Sequence, residues 1–148
     1  MSDLGNIPDF KKTFWKEVGD ELCDRIRVQT QVDGKDVYGK PFKKYSQGYV
    51  KEKKKRGGVT GKVNLTLTGD MMNGLQTRGF TNKSVVIGWS GTNARKIEGN
   101  TKQGRVVTTS KKPISTELGK YLESALNTQV GKNIKKETSK PITYTISK

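Results

Sequence analysis

Three carboxylates are the residues with which this chain could most readily do chemistry. Asp36, Asp70 and Glu98 together could hold a divalent metal ion, as carboxylates do in nucleases, and a basic chain would suit a DNA substrate. The chain has no histidine, so the commonest general base is missing and triads built on Ser-His or Cys-His are impossible. A turn explains Asp36 locally, and a helix start explains Asp70. We therefore expect no catalytic residue, no metal site and no enzymatic activity.

The remaining reactive residue types predict no further site. Cys23 is the single cysteine, so an internal disulfide is impossible, and its place in an amphipathic helix pattern indicates a small core residue. Without histidine the usual zinc sites are excluded. The glycines of residues 57–61 lack the Gly-Lys-Ser/Thr pattern of a phosphate-binding loop. We expect no cofactor.

Basic residues dominate the composition instead. The chain holds 29 lysines and arginines against 14 acids, which gives a net charge of +15. Such a charge predicts a polyanionic neighbour at some stage, either nucleic acid, a membrane surface or an acidic protein face. The alternative is that the charge only keeps the protein soluble. Residues 35–62 alone hold ten of the basic residues and two acids, so the charge is concentrated there.

The basic run at residues 51–61 (KEKKKRGGVTG) has low complexity and ends in glycines. It predicts a flexible basic loop that reaches either phosphates or an acidic partner, the alternative being a solvated tip. The residues expected to contact DNA or an acidic partner are Lys51, Lys53, Lys54, Lys55 and Arg56.

Two tyrosines precede this run. Tyr45 and Tyr49 are one helical turn apart and predict a short helix over residues 45–55. Aromatic side chains among lysines can stack on the bases of single-stranded nucleic acid. They more often anchor a basic helix to its domain, and we favour anchoring here.

An amphipathic helix is predicted over residues 9–28, with Asp9 as its N-cap. Its apolar residues recur every four positions at Phe10, Phe14, Val18, Leu22 and Ile26. Gly19 weakens this helix slightly. Farther along, Thr68 and Asp70 predict the start of a short helix that Gly74 and Gly79 limit.

Two strands are predicted in the second half of the chain. Residues 84–90 are rich in β-branched and aromatic side chains, and residues 105–109 form a weaker strand. A short helix through Ala94 to Gly99, capped by Thr92 or Asn93, separates them.

A last helix is predicted from an N-cap at Ser115 to Ile134, with one continuous apolar face. Beyond it, residues 141–146 alternate apolar residues with threonine, which is the period of a strand. This strand would pair with its own sheet or with a neighbouring subunit. The residues expected to make the subunit contact are Ile142, Tyr144 and Ile146.

Together these elements predict one domain over residues 1–148, with the basic loop at 51–61 and an extended C-terminal arm at 137–148. The expected fold class is α+β, with a small, mainly antiparallel sheet packed against two longer helices and with an extended loop and terminal arms. No run approaches the roughly 20 apolar residues of a membrane span. The first residues lack the pattern of a signal peptide, so we expect a cytoplasmic protein and no membrane partner.

An ordered set of motifs also carries a resemblance. Asp36-Val-Tyr-Gly-Lys-Pro-Phe42 is followed by Lys44-Tyr-Ser46, by Tyr49-Val-Lys51 and Lys53, and by the segment LTLTGDMM that ends at Met72. These motifs resemble the D-x-x-G-x-x-F turn, the Y-S-x-x-Y-x-x-K helix start and the L-T-L-T-G-x-M segment of the tailed-bacteriophage virion morphogenesis family of head-to-tail joining, or tail-completion, proteins. Residues 85–88 and 94–100 also fit that pattern. Where the family has an Arg-Pro-aromatic segment, this chain has Arg105-Val-Val-Thr-Thr109.

The resemblance implies a structural protein of the virion neck. Such a protein forms a ring of about six or twelve copies and acts by self-association and stacking on portal, adaptor and tail proteins. It is assembled in the host cytoplasm, and packaged DNA passing through the channel is a further expected partner.

Two other functions are compatible with the residues. A stand-alone DNA-binding or RNA-binding module would use the same basic run and tyrosines, and it would bind as a monomer with a steep dependence on salt. A carboxylate and metal nuclease would cleave in the presence of magnesium, and it would lose activity on changing Asp70 or Glu98.

Overall fold

The computed structural model describes residues 10–58, 60–65 and 69–138, with residues 134–138 described by their backbone alone. The described elements are, in chain order, α1 (Lys12–Arg27) with a π-helical extension (Val28–Val32), α2 (Gln47–Lys55), α3 (Asp70–Asn73), β1 (Gln76–Phe80), β2 (Val85–Gly88), α4 (Gly91–Lys102) and α5 (Thr116–Thr138). The two strands pair antiparallel. The prediction of an α+β fold with two longer helices is confirmed.

Helix α1 forms because its apolar residues are spaced three or four positions apart, which places them on one side of the helix. Trp15, Val18, Leu22, Cys23 and Ile26 are all buried. The helix begins at Lys12, with Lys11 in the N-cap position. The predicted cap, Asp9, lies outside the described residues, so its role stays a prediction.

The two-stranded sheet packs on α1 through a close approach at Gly19. A Cβ atom at this position would lie 2.6 Å from Val85 Cγ2 and 2.7 Å from Thr77 Oγ1, distances too short for any side chain. Thr77 Oγ1 also donates to Asp20 Oδ1 at 2.7 Å. The glycine that weakens the helix therefore makes room for the sheet.

Of the two strands predicted among the described residues, one is present in the structure and the other is not. The strand predicted at residues 84–90 is confirmed as β2, which is shorter. The strand predicted at residues 105–109 is wrong, because this segment lies in irregular structure beside a turn, where the Val106 carbonyl accepts from Val37 N–H at 3.0 Å. The partner of β2 is instead β1, which the sequence did not predict.

The helix predicted to start at Thr68 and Asp70 is only the four-residue α3, and its N-cap position is held by Gly69 with φ of 87°. Thr68 itself lies outside the described residues. Helix α4 begins earlier than predicted, with Ser90 at its N-cap position in place of Thr92 or Asn93.

Helix α5 begins as predicted, because Ser115 Oγ accepts from the backbone N–H of Leu118 at 3.3 Å. It packs on α1, where the guanidinium carbon of Arg25 lies 4.0 Å from the ring centroid of Tyr121. Leu118 is buried, whereas Leu122 and Leu126 are half-buried.

Arg27 joins α1 to the segment before the sheet, since Nε donates to the Met72 carbonyl at 3.1 Å and Nη2 donates to the Leu75 carbonyl. Met72 and Leu75 are almost fully buried in the core that these contacts close. Among the helices of the described residues, none is long and apolar enough to cross a membrane.

Candidate functional site

The first half of the predicted basic loop is helical. Helix α2 begins after Ser46, whose Oγ accepts from Tyr49 N–H at 3.3 Å, and it ends at Lys55. Arg56 follows as the C-cap residue, and Gly57 takes a φ of 73° that stops the helix. Lysines in the last turn lie near the negative end of the helix dipole, which favours them there. Residues 51–55 are therefore ordered helix, which corrects the expectation of a flexible loop over 51–61.

Lys53 is the second correction. Its side chain is fully buried, and Nζ donates to Asn64 Oδ1 at 2.6 Å. Nζ also lies 4.9 Å from the ring centroid of Tyr45, within the range of a cation–π contact. Burial lowers the pKa of Lys53, because the charged form loses its hydration. This ammonium faces the protein interior, so it cannot contact DNA or an acidic partner in this structure.

The other predicted contact residues are exposed. Lys51, Lys54 and Lys55 are spaced at i, i+3 and i+4, so they share one side of α2, which we call the lysine face. Arg56 is also exposed, and its Nε pairs with Glu52 Oε1 at 2.8 Å. The structure thus keeps three lysines together and removes Lys53 from the set.

Tyr45 is the anchor of α2. Its hydroxyl accepts from the Leu65 N–H at 2.8 Å, and burial raises the pKa of this hydroxyl. Two cations lie near its ring, the Arg105 guanidinium carbon at 5.0 Å from the centroid and Lys53 Nζ at 4.9 Å. The ring centroid of Tyr49 is 4.6 Å from that of Tyr45. The geometry agrees with anchoring for Tyr45, while Tyr49 stays half-exposed.

A concave surface lies between the start of α2 and the C-terminal half of α4. Its volume is about 650 Å³, and we call it the basic groove. It is lined by Lys43, Lys44, Tyr45, Ser46, Tyr49, Lys96, Gly99, Asn100, Gln103 and Arg105. Four of these side chains are cations and none is a carboxylate, so the groove suits an anionic ligand.

Arg105 forms the floor of the basic groove. It is 8% exposed, and its guanidinium donates to Asn100 Oδ1 at 3.3 Å, to Gln103 Oε1 and to the Lys44 carbonyl at 3.5 Å. Sequence reasoning missed this residue as part of a site, because it was assigned to a strand. The available signal was its position just after Gly104, which ends α4 with a φ of 79°.

The candidate catalytic carboxylates are not brought together as a metal site. Asp36 Oδ1 accepts from the N–H groups of Tyr38 and Lys40, each at 2.9 Å, so its turn uses it. Glu98 is exposed and pairs with Lys102 at 2.8 Å. Within the described ranges, no group of three or more histidine, cysteine, aspartate or glutamate side chains could hold a metal ion.

The residues predicted for subunit contact, Ile142, Tyr144 and Ile146, lie outside the described residues. Comparison of the chain with protein-family models, curated proteins and solved structures finds no match.

Proposed function

We propose that the protein is a structural subunit of a tailed-phage particle that forms a ring at the junction of head and tail. One observation carries the proposal: the described residues of the three motifs at 36–42, 44–53 and 65–72 pack into a single connected scaffold around α2. Motif residues that serve the packing of the subunit support a function based on shape and assembly.

The turn motif is the first part of this scaffold. Asp36 accepts two backbone N–H groups, and Gly39 takes a φ of 76° that L side chains rarely adopt. Phe42 then enters the core, where it is 5% exposed. The D-x-x-G-x-x-F spacing is therefore what this turn needs.

The helix-start motif is the second part. Tyr45 holds Leu65, Ser46 caps α2, and Lys53 is buried against Asn64. Tyr49 packs on Tyr45. The lysine position of the Y-S-x-x-Y-x-x-K pattern is Glu52 in this chain, and Lys53 follows one position later. Tyr45, Ser46 and Tyr49 each have a structural contact inside the subunit, and Glu52 pairs with Arg56.

The LTLTGDMM segment is the third part. Leu65 is buried with a positive φ of 51°, and Met72 is fully buried. The scaffold thus ties the described residues 36–58, 60–65 and 69–72 into one unit and leaves the lysine face and the basic groove exposed. In the proposed neck, these surfaces meet other proteins or the DNA.

The proposed partners are further copies of the chain in a ring of about six or twelve, together with portal, adaptor and tail proteins. Assembly takes place in the host cytoplasm, and the virion neck is the final location. Packaged DNA passing through the channel is the proposed source of negative charge near the basic residues.

The test is a phage in which this gene is deleted. Heads and tails should then accumulate unjoined, and the purified full-length chain should restore joined, infective particles. Mass measurement should show a closed ring, either for the chain alone or on purified connectors. Intact virions whose neck lacks the protein would overturn the proposal, as would turnover of a substrate by the isolated chain.

A second candidate is a stand-alone nucleic-acid-binding module, and the basic groove favours it. Three exposed lysines, Lys43, Lys44 and Lys96, can hold a phosphate backbone, and the half-exposed Tyr49 can stack one base. This candidate predicts that the monomer binds single-stranded DNA with a steep dependence on salt.

The matching experiment compares Lys43→Gln/Lys96→Gln with Lys12→Gln/Lys111→Gln, which removes equal charge from exposed sites outside the groove. If the groove holds the phosphates of single-stranded DNA, the slope of log affinity against log salt should fall in magnitude by roughly 1.4 for the first variant, at about 0.7 for each lost lysine contact. Equal slopes for both variants would exclude the groove as the DNA site.

A further inference from the structure

A second concave surface differs from the basic groove in charge. It lies between the second half of α1, the turn at residues 33–39 and the start of α5, and its volume is about 530 Å³. Its lining includes the carboxylates of Glu21, Asp24, Asp33 and Glu117, and we call it the acidic groove. In a chain with a net charge of +15, a concave surface with four carboxylates and two cations is an exception.

Two of these carboxylates are already neutralised within the subunit. Glu21 pairs with Arg25 at 2.7 Å, and Asp24 pairs with Arg27 at 2.5 Å. Asp33 and Glu117 are exposed, and neither has an ion-pair partner in the part of the chain that the structure describes. Of the two cations in the lining, Arg25 pairs with Glu21, and Lys35 has no ion-pair partner among the described residues. Two unpaired carboxylates against one unpaired lysine leave the groove with a small negative charge that another molecule can pair.

The acidic groove also exposes apolar surface. Val28 is 50% exposed and Tyr38 is 55% exposed, and both line it. Exposed apolar surface beside unpaired carboxylates suits a ligand with long aliphatic stems and cationic ends. Lysine side chains have that shape, because their methylene stems pack on apolar surface while the ammonium stays at the polar rim.

The same chain presents such a ligand on α2. Lys51, Lys54 and Lys55 of the lysine face are exposed, and none has an ion-pair partner among the described residues. A helix is a convex ridge, whereas the basic groove is concave, so the helix is the basic element whose shape fits into a groove. The lining of the acidic groove contains no residue of α2, so a lysine face that fills this groove belongs to a second copy of the chain.

We propose that the lysine face of one copy docks into the acidic groove of a second copy. The two surfaces are different patches on one subunit, so the contact is heterologous, and its repetition closes a ring where the rotation permits. This inference rests on the proposed function, because it names the contact by which the ring forms. It assigns Asp33 and Glu117 to one side of the interface, and Lys54 and Lys55 to the other.

A charge-swap experiment tests the contact. Lys54→Glu/Lys55→Glu reverses the lysine face, and Asp33→Lys/Glu117→Lys reverses the acidic groove. Each full-length variant is measured alone, in an equimolar mixture and combined in one chain, by sedimentation at low and high salt. Lys12→Glu/Lys111→Glu makes the same charge change as the first variant outside both surfaces, and circular dichroism checks the fold of every variant.

The wild type should associate at low salt and dissociate at high salt, because salt screens the attraction between the exposed charges that form the contact. Either reversed variant alone should associate at least tenfold more weakly, while the control variant keeps wild-type association. The mixture and the combined variant should regain association, since each then pairs opposite charges again.

Four results would overturn the inference. If rings form equally well in both reversed variants, this contact is excluded as the ring interface, and the proposed ring itself is not. The same would follow if mixing restored nothing, or if reversing the lysine face abolished DNA binding without changing association. A chain that stays monomeric with and without phage connectors would remove the contact and the proposed function together.

Discussion

Helix α2 has two sides made from the same residue type, and their surroundings differ completely. On the inner side, Lys53 is fully buried between Asn64 and the ring of Tyr45. On the outer side, Lys54 and Lys55 are exposed and unpaired among the described residues. The inner lysine serves the fold, and the outer lysines are free to serve a partner.

The difference teaches that lysine content alone does not locate a contact surface. A buried ammonium is tolerated only where polar or aromatic partners replace its hydration, and Lys53 has both kinds. Lys54 and Lys55 have neither kind of partner among the described residues, so their charge stays in solvent.

The largest expected effect comes from Lys53→Ala, which leaves a cavity where the buried side chain packs and removes its hydrogen bond to Asn64 Oδ1. The free energy of unfolding should fall by about 3 kcal/mol, measured by urea denaturation. Lys53→Met keeps most of the volume, so it should lose less. Lys54→Ala is the matched control and should stay within about 0.5 kcal/mol of the wild type. Equal decreases in stability for Lys53→Ala and Lys54→Ala would contradict the difference between the two sides of α2.

A smaller loss is expected for Tyr45→Phe. The ring stays near its two cations, but the buried N–H of Leu65 loses its acceptor, which costs about 1 to 2 kcal/mol. Tyr49→Phe is the control, because no hydrogen bond of its hydroxyl occurs among the described residues. Thermal and urea unfolding measure both variants. If Tyr45→Phe proves neutral, the inner side depends on ring packing alone.

The outer side should contribute little to stability. Changing Lys51, Lys54 and Lys55 together to glutamine should lower the free energy of unfolding by less than about 1 kcal/mol, mainly through the lost interaction with the helix dipole. The same variant should weaken association at low salt, as measured by sedimentation. A large decrease in the free energy of unfolding would show that the three exposed lysines stabilise the fold.

The finest test of the comparison uses pH. Burial lowers the pKa of Lys53 below its usual value of 10.5, so between these two values the unfolded chain binds more protons than the folded one. Wild-type stability should therefore rise relative to Lys53→Met as the pH approaches 10.5. The raised pKa of Tyr45 acts in the opposite direction above about pH 10 in both proteins, so the difference between them isolates Lys53. A difference that falls with pH would contradict the buried position.

Several elements could be predicted from local patterns because local physics decides them. Val18, Leu22 and Ile26 are spaced four residues apart, and this spacing predicts their burial on one side of α1. Ser115 caps α5 through its own side chain. Strand β2 was predictable from its β-branched residues. Its partner β1 was not, because Gln76 to Phe80 contains a glycine and polar residues that become a strand only through pairing with β2.

The candidate surfaces depend on longer-range contacts. The basic groove joins residues 43–49 to residues 96–105, and no local pattern links segments so far apart. The burial of Lys53 did have a local signal, since Tyr49 and Lys53 are four residues apart and fall on one side of α2. Tyr45 lies another four residues before, just ahead of the helix start. The uniform basic run hid that signal.

The buried thiol in α1 gives the chain an internal reporter. Cys23 is the only cysteine, it is 2% exposed, and burial raises the pKa of its thiol. A thiol reagent should therefore modify it only when α1 separates from the core, so the labelling rate records opening of the native state without any introduced probe. Slower labelling in an assembled ring than in the free subunit would measure how much assembly suppresses that opening.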